Sequence, residues 1–195
     1  MISKLAIVLC WIGVGASLGA QEGSVIINEF MAVNETTLRD EDGDYSDWIE
    51  IHNPGTNAVN LEGWYLTDET NNLRKWGFPN VDLPGNGFLV IFASQKDRTN
   101  PAGPLHTNFK LSSEGEYLAL IDPGLNIISA FAPSFPPQLA DVSYGRDRTD
   151  PRVLGFFPVA TPGTPNSTAG SGFAPAVWIV LCCVTIVQRV RRALG

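Results

Sequence analysis

The chain has 195 residues, of which 44% are hydrophobic and 17% are charged. From Gln21 to Gly172, 9 lysine and arginine residues stand against 20 aspartate and glutamate residues, a net charge of 9 − 20 = −11. A surface this acidic repels duplex DNA, so we expect no nucleic-acid partner. The length allows one domain of about 150 residues. The three cysteines, Cys10, Cys182 and Cys183, leave the span between them without a disulfide or a cysteine metal site.

Residues 1–20 have the pattern of a secretory signal peptide. Lys4 provides a short basic start, Leu5–Val14 is apolar, and small residues precede the polar Gln21. We therefore expect cleavage within a residue or two of Ala20 and a domain outside the cell. An uncleaved membrane anchor is the alternative.

Residues 40–55, DEDGDYSDWIEIHNPG, join an acidic turn to an alternating strand. Calcium prefers oxygen ligands, and several carboxylates converge where a glycine permits a tight turn. The candidate metal ligands are Asp40, Asp42, Asp44 and Asp47. The spacing departs from an EF-hand loop, because the twelfth position, where that loop has glutamate, is Ile51. The alternative is a solvated acidic turn. Calcium is thus the one cofactor that the sequence suggests, and it is an open hypothesis.

The strand that follows the acidic turn has two chemically different faces. Trp48, Glu50 and His52 share one face, and Ile49 and Ile51 point to the other. We interpret the first face as a candidate surface for a protein or glycan ligand, with a core position as the alternative for the tryptophan. A carboxylate and a histidine on one face also leave open a hydrolase of the cell envelope.

The predicted domain, residues 21–158, is a succession of short strands joined by Gly, Pro, Asn and Asp. The predicted strands are Val25–Phe30, Trp48–His52, Trp64–Thr67, Lys75–Phe78, Phe88–Ala93, Tyr117–Ile121, Ile127–Phe131 and Val142–Tyr144. Their number and spacing predict an all-β fold, an immunoglobulin-like two-sheet β-sandwich. The histidine at 106 is interpreted as a loop residue, and residues 159–172 as a linker rich in proline, glycine and serine.

Residues 173–195 have the pattern of a membrane segment. Phe173–Val187 is a 15-residue run without charge, and three arginines follow it. The run is short for a transmembrane helix but extends on both sides, so we predict membrane contact through residues 173–190. The arginines place the C-terminus in the cytoplasm and the domain on the extracellular face. A sorting tail that is cut at the linker, leaving the domain at the cell surface, is the alternative.

Seven segments in this order resemble a bacterial lamin-tail domain. They are INEFMAVN (27–34), DEDGDYSDWIEIHNPG (40–55), LEGWYLTD (61–68), KWGFP (75–79), LHTNFKLSSEGEYLALID (105–122), VSYGR (142–146) and TPGTPN (161–166). The resemblance implies an immunoglobulin-like sandwich in a secreted or surface protein of bacteria. It transfers no catalytic residue, because the domain is not known for any.

These observations together predict a protein without enzymatic activity. We expect an extracellular or cell-surface module that binds a protein or glycan or gives structure to the envelope. His52 and the histidine at 106 are the only two in the chain, and neither has metal-ligand spacing. Two alternatives remain open at this point, a calcium-stabilised adhesion module and a cell-envelope hydrolase built on Glu50 and His52.

Overall fold

The structure is a computed structural model that describes residues 25–168. The predicted signal peptide and the predicted membrane segment lie outside the described residues. Within residues 25–168, the chain has no helix that is long and apolar enough to cross a bilayer. The same range contains twelve β-strands and no α-helix. The all-β prediction is therefore confirmed.

The strands form two main sheets and a small one. In chain order they are β1 (Ile26–Met31), β2 (Asp47–His52), β3 (Val59–Asn60), β4 (Tyr65–Thr67), β5 (Trp76–Gly77), β6 (Asp82–Leu83), β7 (Phe88–Ala93), β8 (Leu105–His106), β9 (Leu118–Ile121), β10 (Ile127–Phe131), β11 (Ser143–Arg146) and β12 (Leu154–Phe157). The larger sheet has the order β12-β11-β1-β2-β7-β8, and the second sheet has the order β10-β9-β4-β5. Strands β3 and β6 pair separately. All pairs are antiparallel except β7 with β8.

Each of the eight predicted strands corresponds to a strand in the structure. Four further strands, β3, β6, β8 and β12, were missed. Three of them have only two residues, too few to show an alternating pattern. The fourth, β12, was not predicted because it overlaps the start of the proline-rich segment that leaves the domain.

The core lies between the two main sheets. Ile49 and Ile51 of β2 and Leu118 and Leu120 of β9 are fully buried there. Phe30 is at the centre, with ring centroids 5.0 Å from Phe131, 4.6 Å from Phe135 and 5.8 Å from Tyr144. Contacts between aromatic rings at these distances add to the free energy of burying the rings.

A β-bulge decides which side chains of β1 enter this core. The register between β1 and β2 shifts between Ile27 and Glu29, so that Ile27 pairs with Ile51 and Glu29 pairs with Glu50. Ile27 and Phe30 consequently belong to the core, while Glu29 lies on the outer face of the larger sheet. Without the extra residue, Ile27 and Glu29 would share one face.

A C-terminal strap, residues 159–166, crosses this outer face. Ala160 packs on Met31, Trp48 and Phe92, and further along the strap Asn166 bonds to Asn28. The predicted linker 159–172 starts in this segment. Its first part, up to residue 166, is therefore held on the sheet by packing and hydrogen bonds.

The strap brings the two ends of the described chain to the same end of the sandwich. Strand β1 begins there at Ile26, which pairs with His52 at the end of β2. Asn166 donates to the carbonyl of Arg146 at the end of β11, 2.8 Å away. We call this the chain-entry end. The opposite end, where β2 begins at Asp47 beside the end of β7, is the acidic end.

The core assignment predicts the effect of truncating Phe30. Phe30→Ala removes a fully buried ring, so we expect a soluble fragment of residues 21–168 to lose about 3–5 kcal/mol of unfolding free energy. Urea denaturation measures this loss. The control is Val159→Ala, because Val159 is 73% exposed and its truncation should change stability by no more than about 0.5 kcal/mol. Equal losses in both variants would contradict the assigned core.

Candidate functional site

The acidic loop, residues 40–44, is organised by its own side chains. Asp40 Oδ1 accepts hydrogen bonds from the backbone N–H groups of Asp42 and Asp44, both at 3.0 Å. Asp40 Oδ2 accepts one from Ser46 Oγ at 2.9 Å. Gly43 has φ +86°, a conformation that side chains other than glycine rarely adopt. The loop is therefore fixed before any ligand binds.

Lys96 binds three of the predicted metal ligands at once. It lies just after β7, and its Nζ is 2.6 Å from Asp40 Oδ2, 2.6 Å from Asp42 Oδ2 and 3.0 Å from Asp44 Oδ2. Hydrogen bonds from Arg98 and Lys96 lower the pKa of Asp42 to about 2. An ammonium group thus already contacts the three carboxylates that could hold a cation.

The fourth predicted ligand, Asp47, does not join this cluster. Oxygen atoms of Asp40, Asp42 and Asp44 lie within 4.8 Å of one another, and Asp47 is not among them. It instead lines a neighbouring cavity of about 230 Å³ together with Lys110. Burial raises the pKa of Asp47 to about 7. The candidate metal site therefore has three carboxylates, and a calcium ion there would have to displace Lys96.

His106 connects the acidic loop to the larger sheet. Its Nδ1 is 2.7 Å from Ser94 Oγ, and its Nε2 is 2.9 Å from Glu41 Oε2. Arg98 binds the same glutamate at 2.5 Å. The histidine side chain is fully buried. Sequence reasoning missed this contact, since it interpreted residue 106 as a loop position.

A serine, a histidine and a carboxylate in a row resemble a hydrolase triad, but the surrounding backbone does not complete one. Acyl transfer needs N–H groups free to bind the developing oxyanion. The N–H groups of residues 95–97, which follow the serine, already donate to Phe109 O, Ser94 Oγ and Thr107 O. The row therefore fixes the acidic loop in place, and these N–H groups offer no oxyanion site.

The predicted ligand face lies under the strap. Trp48, Glu50 and His52 do share one face of β2, as predicted, yet Trp48 and Glu50 are fully buried. Trp48 packs between Met31 and Phe92, so it is not an exposed aromatic surface. His52 is half-buried and stacks on Phe88 with ring centroids 4.2 Å apart. The strap buries the apolar side chains that β1, β2 and β7 place on this face, namely Met31, Trp48 and Phe92.

Glu50 is paired with a second buried carboxyl group rather than with His52. It lies opposite Glu29 across β1 and β2, and both side chains are fully buried. Glu50 accepts hydrogen bonds from Asn28 and from the N–H of Gly163. The hydrolase arrangement of Glu50 and His52, which the sequence left open as an alternative, is therefore not formed.

Glu29 binds the strap and β11. Its carboxylate accepts hydrogen bonds from the hydroxyl of Ser143 and from the N–H and hydroxyl of Thr161. Burial raises the pKa of Glu29, and burial followed by the neighbouring Glu29 charge raises the pKa of Glu50 to about 7. Sequence reasoning did not find this pair. The one indication in the sequence is that Glu29, Glu50 and the strap lie in three segments of the family resemblance. These segments are INEFMAVN, DEDGDYSDWIEIHNPG and TPGTPN.

The two-sheet architecture defines an immunoglobulin-like module. The model of the family described as Lamin Tail Domain matches residues 19–134, more than half of the chain. The chain belongs to the lamin tail domain family. The match ends before β11, β12 and the strap. A search of curated proteins finds no match.

The position of Lys96 predicts how the protein responds to calcium. Because its ammonium already contacts the three carboxylates, we expect excess calcium and a chelator to give the same melting temperature for the unchanged protein. Lys96→Ala leaves the carboxylates without this cation, so calcium should raise its melting temperature by several degrees. Scanning calorimetry of both proteins measures this. A rise in the unchanged protein would show instead that calcium competes with Lys96.

The buried carboxyl pair predicts a pH dependence of stability. Between pH 4.5 and about 7 the folded protein keeps the Glu50 proton that the unfolded chain loses, so the free energy of unfolding falls as pH rises through this window. Glu50→Gln cannot ionise, and we expect its melting temperature to fall less between pH 5.5 and 8. Burial also raises the pKa of Asp47 to about 7, but Asp47 is common to both proteins.

Glu62→Gln is the control for the pH experiment, because the Glu62 side chain is exposed and does not belong to the buried carboxyl pair. Thermal melts across the pH series measure the slopes. Identical slopes for the unchanged protein and Glu50→Gln would contradict the ionisation of a buried group at this position.

Proposed function

We propose that this lamin-tail protein is a non-catalytic module on the extracellular face of a membrane, where its acidic end binds a protein or glycan partner. The observation that carries the proposal is the fixed acidic loop at the end of the sandwich opposite the chain ends. Family membership supports a binding or structural role. The signal-peptide pattern and the uncharged run Phe173–Val187 support a surface location, in a bacterial envelope according to the resemblance of the motifs.

The charge and rigidity of the acidic end indicate the chemistry of the partner. Residues 40–44 contribute four carboxylates. Three cations contact the loop, namely Lys96, Arg98 and Arg39, the last of which donates to Gly43 O at 3.0 Å, so a net charge of −4 + 3 = −1 remains. The side chains of Asp42 and Asp44 are 40% and 67% exposed. A preorganised loop loses little conformational entropy on binding. A cationic patch on a protein, or a glycan that carries amino groups, is the complementary surface.

The absence of catalysis is part of the proposal. Beside the Ser94–His106–Glu41 row, the backbone N–H groups of residues 95–97 all donate within the protein and cannot bind an oxyanion. Glu50 accepts a hydrogen bond from Gly163 of the strap. Both arrangements instead stabilise the fold around the loop. These two arrangements therefore support a module that acts by binding through its surface.

The experiment is a binding assay on envelopes from cells that lack this protein. The soluble fragment of residues 21–168 should bind them, and Asp42→Asn with Asp44→Asn should weaken binding about tenfold, equivalent to about 1.4 kcal/mol. Added salt should weaken the unchanged protein more than the double variant. The control is Asp82→Asn, an exposed acid on β6. Equal weakening by both variants would refute binding through the acidic end.

A calcium-stabilised adhesion module is the second candidate function. The observation in its favour is the convergence of three carboxylate oxygens within 4.8 Å. Calorimetry of the unchanged protein with calcium and with a chelator separates the two candidates, since only this function requires that calcium stabilise the unchanged protein. Calcium-dependent binding to envelopes would then be lost in Asp42→Asn as well.

A further inference from the structure

The chain-entry end of the sandwich exposes apolar side chains. Among the described residues, five large hydrophobic side chains are exposed, and three of them lie at this end. These three are Ile127, Val153 and Leu154, with exposed fractions of 55%, 47% and 40%. Apolar groups gathered at one end of a small acidic domain indicate a contact surface.

Hydrogen bonds and strand register establish that the three side chains share this end. Leu154 pairs with Arg146, and Val153 is the residue before it. Ser129 Oγ accepts hydrogen bonds from Ile27 N at 3.0 Å and Arg146 Nη2 at 3.1 Å, so β10 is level there with the start of β1. Phe131 of the same strand contacts Phe30, deeper in the core. Ile127 therefore lies two residues further toward the chain-entry end.

The exit of the chain brings this end close to the uncharged run. Asn166 is fixed to Asn28 and Arg146, and Phe173 follows seven residues later. Seven residues reach at most roughly 25 Å when fully extended. If the run from Phe173 enters a membrane, the chain-entry end is held within this distance of the lipid surface.

Two exposed arginines flank the apolar side chains. Arg148 and Arg152 lie in the β11–β12 turn, where Arg152 also pairs with Asp150 at 2.8 Å. Asp122 lies at the same end, in the β9–β10 turn, so the surface is mixed in charge. The acidic loop is at the far end, beyond the six-residue strand β2, about 20 Å away. Screening over about 8 Å at physiological salt removes most of its repulsion.

We propose that the chain-entry end docks on the lipid surface. Ile127, Val153 and Leu154 insert into the headgroup region, and Arg148 and Arg152 contact lipid phosphates. The inference rests on the membrane attachment in the proposed function. A short tether gives a high effective concentration, so contacts too weak to recruit a free domain suffice to orient a tethered one. The acidic loop then points away from the membrane, toward a partner.

The test is hydrogen exchange measured by mass spectrometry on the chain without its predicted signal peptide, residues 21–195, in phosphatidylcholine nanodiscs. We expect several-fold slower amide exchange in peptides from the β9–β10 and β11–β12 turns than in the soluble fragment of residues 21–168. The triple variant Ile127→Ser, Val153→Ser, Leu154→Ser should lose this protection. The matched control is Val159→Ser, which changes an equally apolar and more exposed side chain near the acidic end. Thermal melts verify that both variants are folded.

Three outcomes would overturn the proposal, and they are distinguishable. If the chain enters nanodiscs but the amides of both turns exchange as fast as in the soluble fragment, docking is refuted and the membrane anchor is retained. Equal protection in detergent micelles without a bilayer assigns the surface to protein contacts. A chain that does not enter nanodiscs refutes docking together with the membrane attachment, whereas binding through the acidic end is tested separately on envelopes.

Discussion

Hydrogen bonds join two buried carboxyl groups to the strap, and they fix the end of the described chain beside its start. Glu29 and Glu50 lie side by side on the outer face of the larger sheet, where water does not reach them. A buried carboxylate is costly unless donors surround it. Thr161 and Gly163 supply such donors from the strap. The strap consequently follows one path across the sheet and leaves the domain beside the start of β1.

The bulge in β1 is the backbone feature that makes this contact available. It turns Glu29 outward, where it meets Glu50 across the strand pair, while Phe30 remains in the core. Gly145 of β11 lies directly opposite Glu29. A Cβ there would be 3.1 Å from Asn166 Nδ2 and even closer to the backbone of Asn28, so the close packing of β1, β11 and the strap requires glycine.

The positions of strands and the assignment of their two faces could be predicted from the sequence, because both depend on local alternation of side chains. Strand β2 shows strict alternation and was placed within one residue, and its two faces were assigned correctly. A core position for Trp48 was one of two alternatives that the sequence left open, because the strap that covers it is more than 100 residues away in the sequence. His106 has neither alternation nor metal-ligand spacing around it, and its partner Glu41 is 65 residues away.

The acidic loop illustrates the same limit and a physical consequence of it. Alternating aspartates around a glycine indicate a cation site whether the cation is a metal ion or a lysine, because both are bound by the same oxygen atoms. Lys96, 52 residues beyond Asp44, is the cation that the fold supplies. The hydrogen bonds from Lys96 and from within the loop therefore hold its shape without a metal ion, and the loop keeps a net negative charge. The proposed binding function depends on that fixed charge, because the loop presents it at the end of the sandwich opposite the one where the described chain enters and leaves.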